Sequence, residues 1–155
     1  MSPTARLVSR SIAIFCADGH YRVIAARSFF PRDRILRLDG VVTETRSRHS
    51  LQLSPGRHLV PPPDLDADDD DTRYAWRYLN HSCAPNAIVQ GRNVTALRPI
   101  WLGDEITFDY TTTEDTLAAP FHCGCGHCGG RLIQGRTEFK PLTQVNELGS
   151  VESDF

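Results

Sequence analysis

Cys123-Gly124-Cys125-Gly126-His127-Cys128 crowds three thiols and an imidazole into six residues. Thiolates at this spacing can surround a tetrahedral ion with little chain strain, and the glycines between them permit a tight wrap. Zinc suits such soft ligands and takes four. The cluster's three cysteines therefore need a fourth donor, from His127 or from elsewhere in the chain, unless the cysteines are free surface thiols with no metal. Upstream, Tyr78-Leu79-Asn80-His81-Ser82-Cys83-Ala84-Pro85-Asn86 gathers amide, imidazole, hydroxyl and thiol groups. Asn80 carries both donor and acceptor. Asn86 reads as the residue that closes a turn. Gly103-Asp104-Glu105-Ile106-Thr107-Phe108-Asp109-Tyr110 alternates strictly from Glu105 onward, which on a strand sets Ile106, Phe108 and Tyr110 on one face. Phe108 and Tyr110 then point into the same space. Cys16 stands alone in an expected strand and reads as a small buried hydrophobe.

The two polar motifs and the cysteine cluster, in this order, resemble the SET-domain protein lysine methyltransferases from about residue 12 to about residue 133. The resemblance implies a mainly β fold: several small sheets of short strands, few short helices, a pseudoknot that threads the Asn-His-Ser-Cys segment under a loop, and a C-terminal zinc-binding post-SET element. It also implies that Cys83 is the fourth metal ligand, completing a set of Cys83, Cys123, Cys125 and Cys128. Tyr110 matches the family's active-site tyrosine. Phe108 matches a position held by phenylalanine or tyrosine, and as phenylalanine it leaves room for more than one methyl. Asn80 and His81 match the pair that contacts S-adenosylmethionine, with backbone groups beside His81 facing adenine.

The chemistry such a site would serve is attack by a lysine amine on a methyl group, for which the amine must be neutral. With a pKa of ~10.4, about one free lysine in 2,500 is neutral at pH 7, a deficit of roughly 4–5 kcal/mol. A narrow aromatic channel lowers that pKa by desolvation and aligns the nitrogen by confinement. Three departures from the family pattern stand out. Two residues, in place of the usual four, separate Cys125 from Cys128. His20 and Arg22 occupy the positions of a Gly-x-Gly that lies along the cofactor, so Tyr21 and Arg22 are expected to contact it from slightly further away, Arg22 through the cofactor's carboxylate. His49 replaces a channel tyrosine, which predicts activity rising with pH through the histidine range from ~6.5.

The elements that must position these groups read as short strands and turns. Residues 11–15 and 21–26 form a hairpin around Ala17-Asp18-Gly19-His20. Residues 35–38 and 41–42 are short strands, 50–53 and 58–60 pair across Ser54-Pro55-Gly56, and 87–90 and 94–97 flank Gly91-Arg92-Asn93. Thr72 caps one short aromatic-packed helix. Residues 61–71, three prolines followed by six aspartates among eight residues, read as an exposed loop able to attract a basic peptide.

At 155 residues the chain suits a single domain. Its expected organisation is a SET domain at 11–120, a zinc element at 121–134 and a tail at 135–155. A formal net charge of -2 gives no reason to expect nucleic acid binding. No apolar run suits a signal peptide or membrane span, so a soluble intracellular protein is expected, cytoplasmic or nuclear. The expected function is S-adenosylmethionine-dependent methylation of a lysine in a basic, histone-like or otherwise lysine-rich protein. The alternative is a catalytically impaired, zinc-stabilised module that binds basic peptides. Oligomeric state is not legible.

Overall fold

The computed structural model describes residues 2–65 and 72–136. The acidic stretch from Asp66 to Asp71 and the tail from residue 137 lie outside them. Among the described residues, thirteen short strands make five small sheets. In the first, β1 (Thr4–Leu7), β2 (Ile12–Ala17) and β3 (His20–Ala25) pair antiparallel. The β2–β3 hairpin forms because Asp18 and Gly19 both take positive φ, 51° and 77°, the geometry of a two-residue turn that matches strand twist. Its register sets Ile14 opposite Val23 and Ile12 opposite Ala25, and these four face the core.

In the second sheet β4 (Arg34–Arg37) and β9 (Ala87–Gln90) flank β10 (Asn93–Ala96). In the third, β5 (Val41–Thr43) and β6 (Leu51–Ser54) flank β7 (Arg57–Val60). A 3-10 helix, Thr72–Tyr78, buries Tyr74, Ala75 and Trp76, and the Trp76 indole N–H donates to the Asp39 carbonyl at 2.8 Å. The core between these sheets holds Val23, Phe29, Leu38, Leu59, Val94, Ile100 and Ile106, all fully buried. Each large apolar side chain contributes roughly 1.5–3 kcal/mol on burial.

Two parallel two-residue strands, β8 (Asn80–His81) and β11 (Thr107–Phe108), run through the centre. Their pairing sets Thr107 beside Asn80 and Phe108 beside His81, so two segments far apart in sequence lie side by side. Asn86 locks the crossing: its Nδ2 donates to the Glu105 carbonyl at 2.8 Å and its Oδ1 accepts from the Thr107 N–H at 2.9 Å. Its expected role in closing a turn is thus replaced by a clamp between the two motifs. The opposite edge of β3 is held by the same region, with Ala25 N–H donating to Asp104 and Ile106 N–H to Val23.

The unbroken strand expected at 105–110 is cut short after Phe108. Asp109 is extended, with φ -84° and ψ 112°, and its carboxylate accepts from the Thr111 N–H, which starts a 3-10 turn at Tyr110–Thr112. Finally β12 (Phe121–His122) and β13 (Leu132–Ile133) pair antiparallel, bracketing the cysteine cluster. Cys16, expected to be buried, is half-exposed near the end of β2.

Candidate active site

The sulfurs of Cys83, Cys123, Cys125 and Cys128 lie within 4.8 Å of one another. Cys83 Sγ is 3.8 Å from Cys123 Sγ, and Cys125 Sγ is 3.8 Å from Cys128 Sγ. A tetrahedral zinc ion with bonds of about 2.3 Å needs sulfur–sulfur edges of about 3.8 Å, so the donor set fits zinc. Backbone N–H groups of Cys125 and His127 point at sulfur, each at 3.4 Å, as does the Arg131 guanidinium at Cys83 Sγ, also 3.4 Å. These donors would offset the charge of thiolates gathered on an ion. The His127 imidazole is not in the group; the residue contributes its backbone only, and Cys83 takes the fourth place. Two residues between Cys125 and Cys128 suffice because Gly126, with φ 80°, turns the loop back on itself.

Beside this cluster stands Tyr110. Its ring lies 4.9 Å from Phe108, 5.3 Å edge-on from His81 and 6.0 Å edge-on from Phe121. Phe108 is buried in the core, whereas Phe121 enters from β12. The Tyr110 hydroxyl donates to the Leu79 carbonyl at 2.6 Å, which leaves its oxygen lone pairs as acceptors. Burial pushes its pKa well above the ordinary value, and the carboxylates of Glu105 and Glu114 push it further. The tyrosine is therefore a neutral hydrogen-bonding group at physiological pH, not a base.

On the other side of β8, the two amide hydrogens of Asn80 go to the Tyr21 carbonyl at 2.8 Å and to Glu105 Oε1 at 2.9 Å. Asn80 thus ties β8 both to the Tyr21 backbone of β3 and to the Glu105 carboxylate. Tyr21 stacks on Tyr78, with centroids 4.5 Å apart. Strand alternation sends Arg22 to the opposite face, where its guanidinium lies 5.4 Å over the ring of its cross-strand partner Phe15. Tyr21 and Asn80 are brought together; Arg22 is turned away from them. His81 Nδ1 accepts from the Tyr110 N–H at 3.1 Å, and Nε2 lies 3.3 Å from Cys83 Sγ.

His49 sits in an exposed turn ahead of β6, and among the described residues no contact joins it to Tyr110. Behind the tyrosine, the segment after the 3-10 turn is tied to β6. Gln52 N–H donates to Glu114 Oε2 at 2.8 Å, and the Gln52 side chain exchanges two hydrogen bonds with Asp115. Burial raises the Glu114 pKa, while the Gln52 and Thr113 hydrogen bonds oppose the shift. Phe121 and Glu105 were not singled out from sequence. Glu105 lies inside the quoted motif, the one signal that could have found it, whereas Phe121 is marked only by standing two residues before the first clustered cysteine.

A family model described as SET domain matches residues 20–111, more than half of the chain. The Aspergillus flavus protein named methyltransferase flvH is 39% identical over 97 residues, covering 59% of this chain and 48% of the relative. A Schizosaccharomyces pombe histone-lysine N-methyltransferase, H3 lysine-4 specific, is 41% identical over 101 residues, 59% of this chain and 11% of that protein. The Caenorhabditis elegans histone-lysine N-methyltransferase met-2 is 40% identical over 73 residues, 37% of this chain and 6% of the relative. The chain spans less than half the length of each of these relatives. With three motifs in order, a matching family model and a four-cysteine cluster that fits the post-SET zinc site, the chain belongs to the SET domain family.

Proposed function

We propose that this protein is an S-adenosylmethionine-dependent protein lysine N-methyltransferase acting on a basic protein. The observation that carries this reading is the packing of Phe108, Phe121 and His81 around Tyr110, with Asn80 bonded to the Glu105 carboxylate across β8. Aromatic walls desolvate a lysine amine, which favours its neutral, nucleophilic form. The neutral Tyr110 oxygen accepts from the amine N–H and orients the lone pair. Tyr110 itself removes no proton in this scheme. Deprotonation precedes binding or occurs through solvent.

When bound, S-adenosylmethionine supplies an electrophilic methyl group on a sulfonium. The residues that would hold it are Asn80, Glu105 and the Tyr21 region. Asn80 Oδ1 and the Glu105 carboxylate suit an ammonium, and the exposed Tyr21 ring, stacked on the half-buried Tyr78, offers a flat apolar surface. The His20 and Arg22 substitutions leave the Tyr21 carbonyl engaged by Asn80, so the backbone in this stretch keeps its tie to the second motif. Zinc on the four cysteines would hold β12, and with it Phe121, against Tyr110. The catalytically impaired binding module is not favoured, since the matched relatives are named methyltransferases.

The test is calorimetric titration of the zinc-loaded protein with S-adenosylmethionine, with Asn80→Ala as control, followed by transfer of labelled methyl to a lysine-rich histone. Micromolar binding that the variant loses, and transfer that Tyr110→Phe loses, are expected. A folded protein that binds no S-adenosylmethionine would overturn the proposal.

A further inference from the structure

One ring touches both the metal cluster and the tyrosine. The His81 side chain is 1% exposed, so its two nitrogens are served by protein groups and not by bulk water. Nδ1 accepts the backbone N–H of Tyr110 at 3.1 Å. A nitrogen that accepts carries no proton, so Asp109 Oδ1, 3.6 Å from Nδ1, does not pair with an imidazolium. That carboxylate oxygen is instead taken by the Thr111 N–H at 3.0 Å and the Thr111 hydroxyl at 2.7 Å. The remaining proton belongs on Nε2, which faces Cys83 Sγ at 3.3 Å. The ring also meets Tyr110 edge-on at 5.3 Å and Phe121 at 5.8 Å.

We infer that His81 is a positioning residue that transmits the geometry of the four-cysteine metal centre to Tyr110. A thiolate held on the metal accepts the Nε2–H and fixes the tautomer and ring plane. The same tautomer presents the Nδ1 lone pair to the Tyr110 N–H, and the ring plane sets the edge against which Tyr110 and Phe121 pack. Residues that orient a metal ligand in this way commonly alter metal affinity or activity by about 10–100-fold when replaced. This is a role for the imidazole, which is committed to Cys83 and Tyr110, and it is separate from the adenine contact expected of the backbone groups beside His81. The inference rests on the proposed methyl transfer for its kinetic consequence alone.

Three measurements on the full chain test it. In zinc-loaded parent protein, two-dimensional NMR correlating the imidazole nitrogens with the ring protons is expected to show His81 protonated at Nε2 only; an Nδ1–H tautomer overturns the inference. His81→Phe, which keeps a ring and loses both hydrogen bonds, is expected to release zinc to a chromophoric chelator about tenfold faster or more. It should also lower kcat for methyl transfer by about 10–100-fold with little change in KM for S-adenosylmethionine. Unchanged zinc release, or a rise in that KM with kcat intact, overturns the inference, the latter by assigning His81 to the cofactor. His81→Gln, which keeps an amide donor for Cys83, should recover the slow zinc release more fully than kcat. If the parent transfers no methyl to any lysine-rich protein, the proposed function fails while the tautomer and zinc-release results still decide the role of His81.

Discussion

Tyr110 places a phenol oxygen 2.6 Å from the Leu79 carbonyl and keeps it protonated by burial beside the Glu105 and Glu114 carboxylates. Tyr110→Phe should therefore separate catalysis from folding. Loss of one hydrogen bond to a backbone carbonyl costs about 1 kcal/mol in urea unfolding, whereas losing the group that orients the amine should reduce methyl transfer by about 10²-fold or more. A variant that loses stability and activity in proportion would assign Tyr110 a structural role. The same protonation argument fixes the pH profile. Because the tyrosine stays neutral and the free lysine has a pKa of ~10.4, the rate at limiting substrate should rise about tenfold per unit between pH 7 and 9, with no break from Tyr110. Phe108 should decide how far the reaction runs. Phe108→Tyr adds a hydroxyl beside Tyr110, 4.9 Å away ring to ring, and should shift the product toward fewer methyl groups by mass spectrometry. The closeness of Tyr110 and Phe108 was legible in the sequence from their spacing of two, and the rings lie 4.9 Å apart even though the strand ends at Phe108 and Tyr110 starts a 3-10 turn. Phe121 was not legible, because its part in the site depends on a loop of eight residues, 113–120, that brings β12 back beside the 3-10 turn, and no periodicity spans that loop.

At the scale of elements, the parallel pairing of β8 and β11 is only two residues long and cannot hold by backbone hydrogen bonds alone. Asn86 supplies the rest, with one donor to the Glu105 carbonyl and one acceptor for the Thr107 N–H, both in half-buried surroundings. Asn86→Ala leaves these two backbone groups without partners, which should cost about 2–4 kcal/mol in urea unfolding and release the segment that carries Asn80 and His81. Asn86→Asp keeps the acceptor and should cost less; equal losses would mean that the clamp does not act through these two bonds. Hairpins were readable wherever turn chemistry marked them, as at Asp18-Gly19 and Gly91, since a residue with positive φ announces itself. Strand β1 escaped notice because all four of its residues are exposed, leaving no alternation for the sequence to display. The strand expected through Tyr110 ended two residues early because a local hydrogen bond from the Thr111 N–H to the Asp109 carboxylate competes with the ladder.

Among the described residues there are one apolar core and one four-cysteine cluster able to hold a metal, and they are separate. The core cluster draws its buried residues from Ile12 to Phe108 and takes none from the segment beyond Phe108. The segment from β12 to β13 contributes Phe121 to the site and three of the four cysteines, and is tied to the body through Cys83 and through Arg136, which donates to the Glu114 and Thr112 carbonyls. Removing zinc should consequently unseat the aromatic wall without melting the body. Excess chelator is expected to abolish methyl transfer while the Trp76 indole stays buried and bonded to the Asp39 carbonyl. Trp76 and Trp101 are the two tryptophans, and Trp101 is 55% exposed, so a Trp101→Phe background isolates the buried reporter. In that background chelation should leave the emission maximum blue-shifted and the far-ultraviolet dichroism nearly unchanged, and restoring zinc should restore activity. A red shift that accompanies the loss of activity would mean that the metal holds the core itself together. Activity that persists in metal-free protein would mean that Phe121 is not needed at Tyr110. The division expected here follows from size: a body with 18 core residues can bury its own apolar surface, whereas two-residue strands around a cysteine loop bury little and would depend on an ion held by the cysteines.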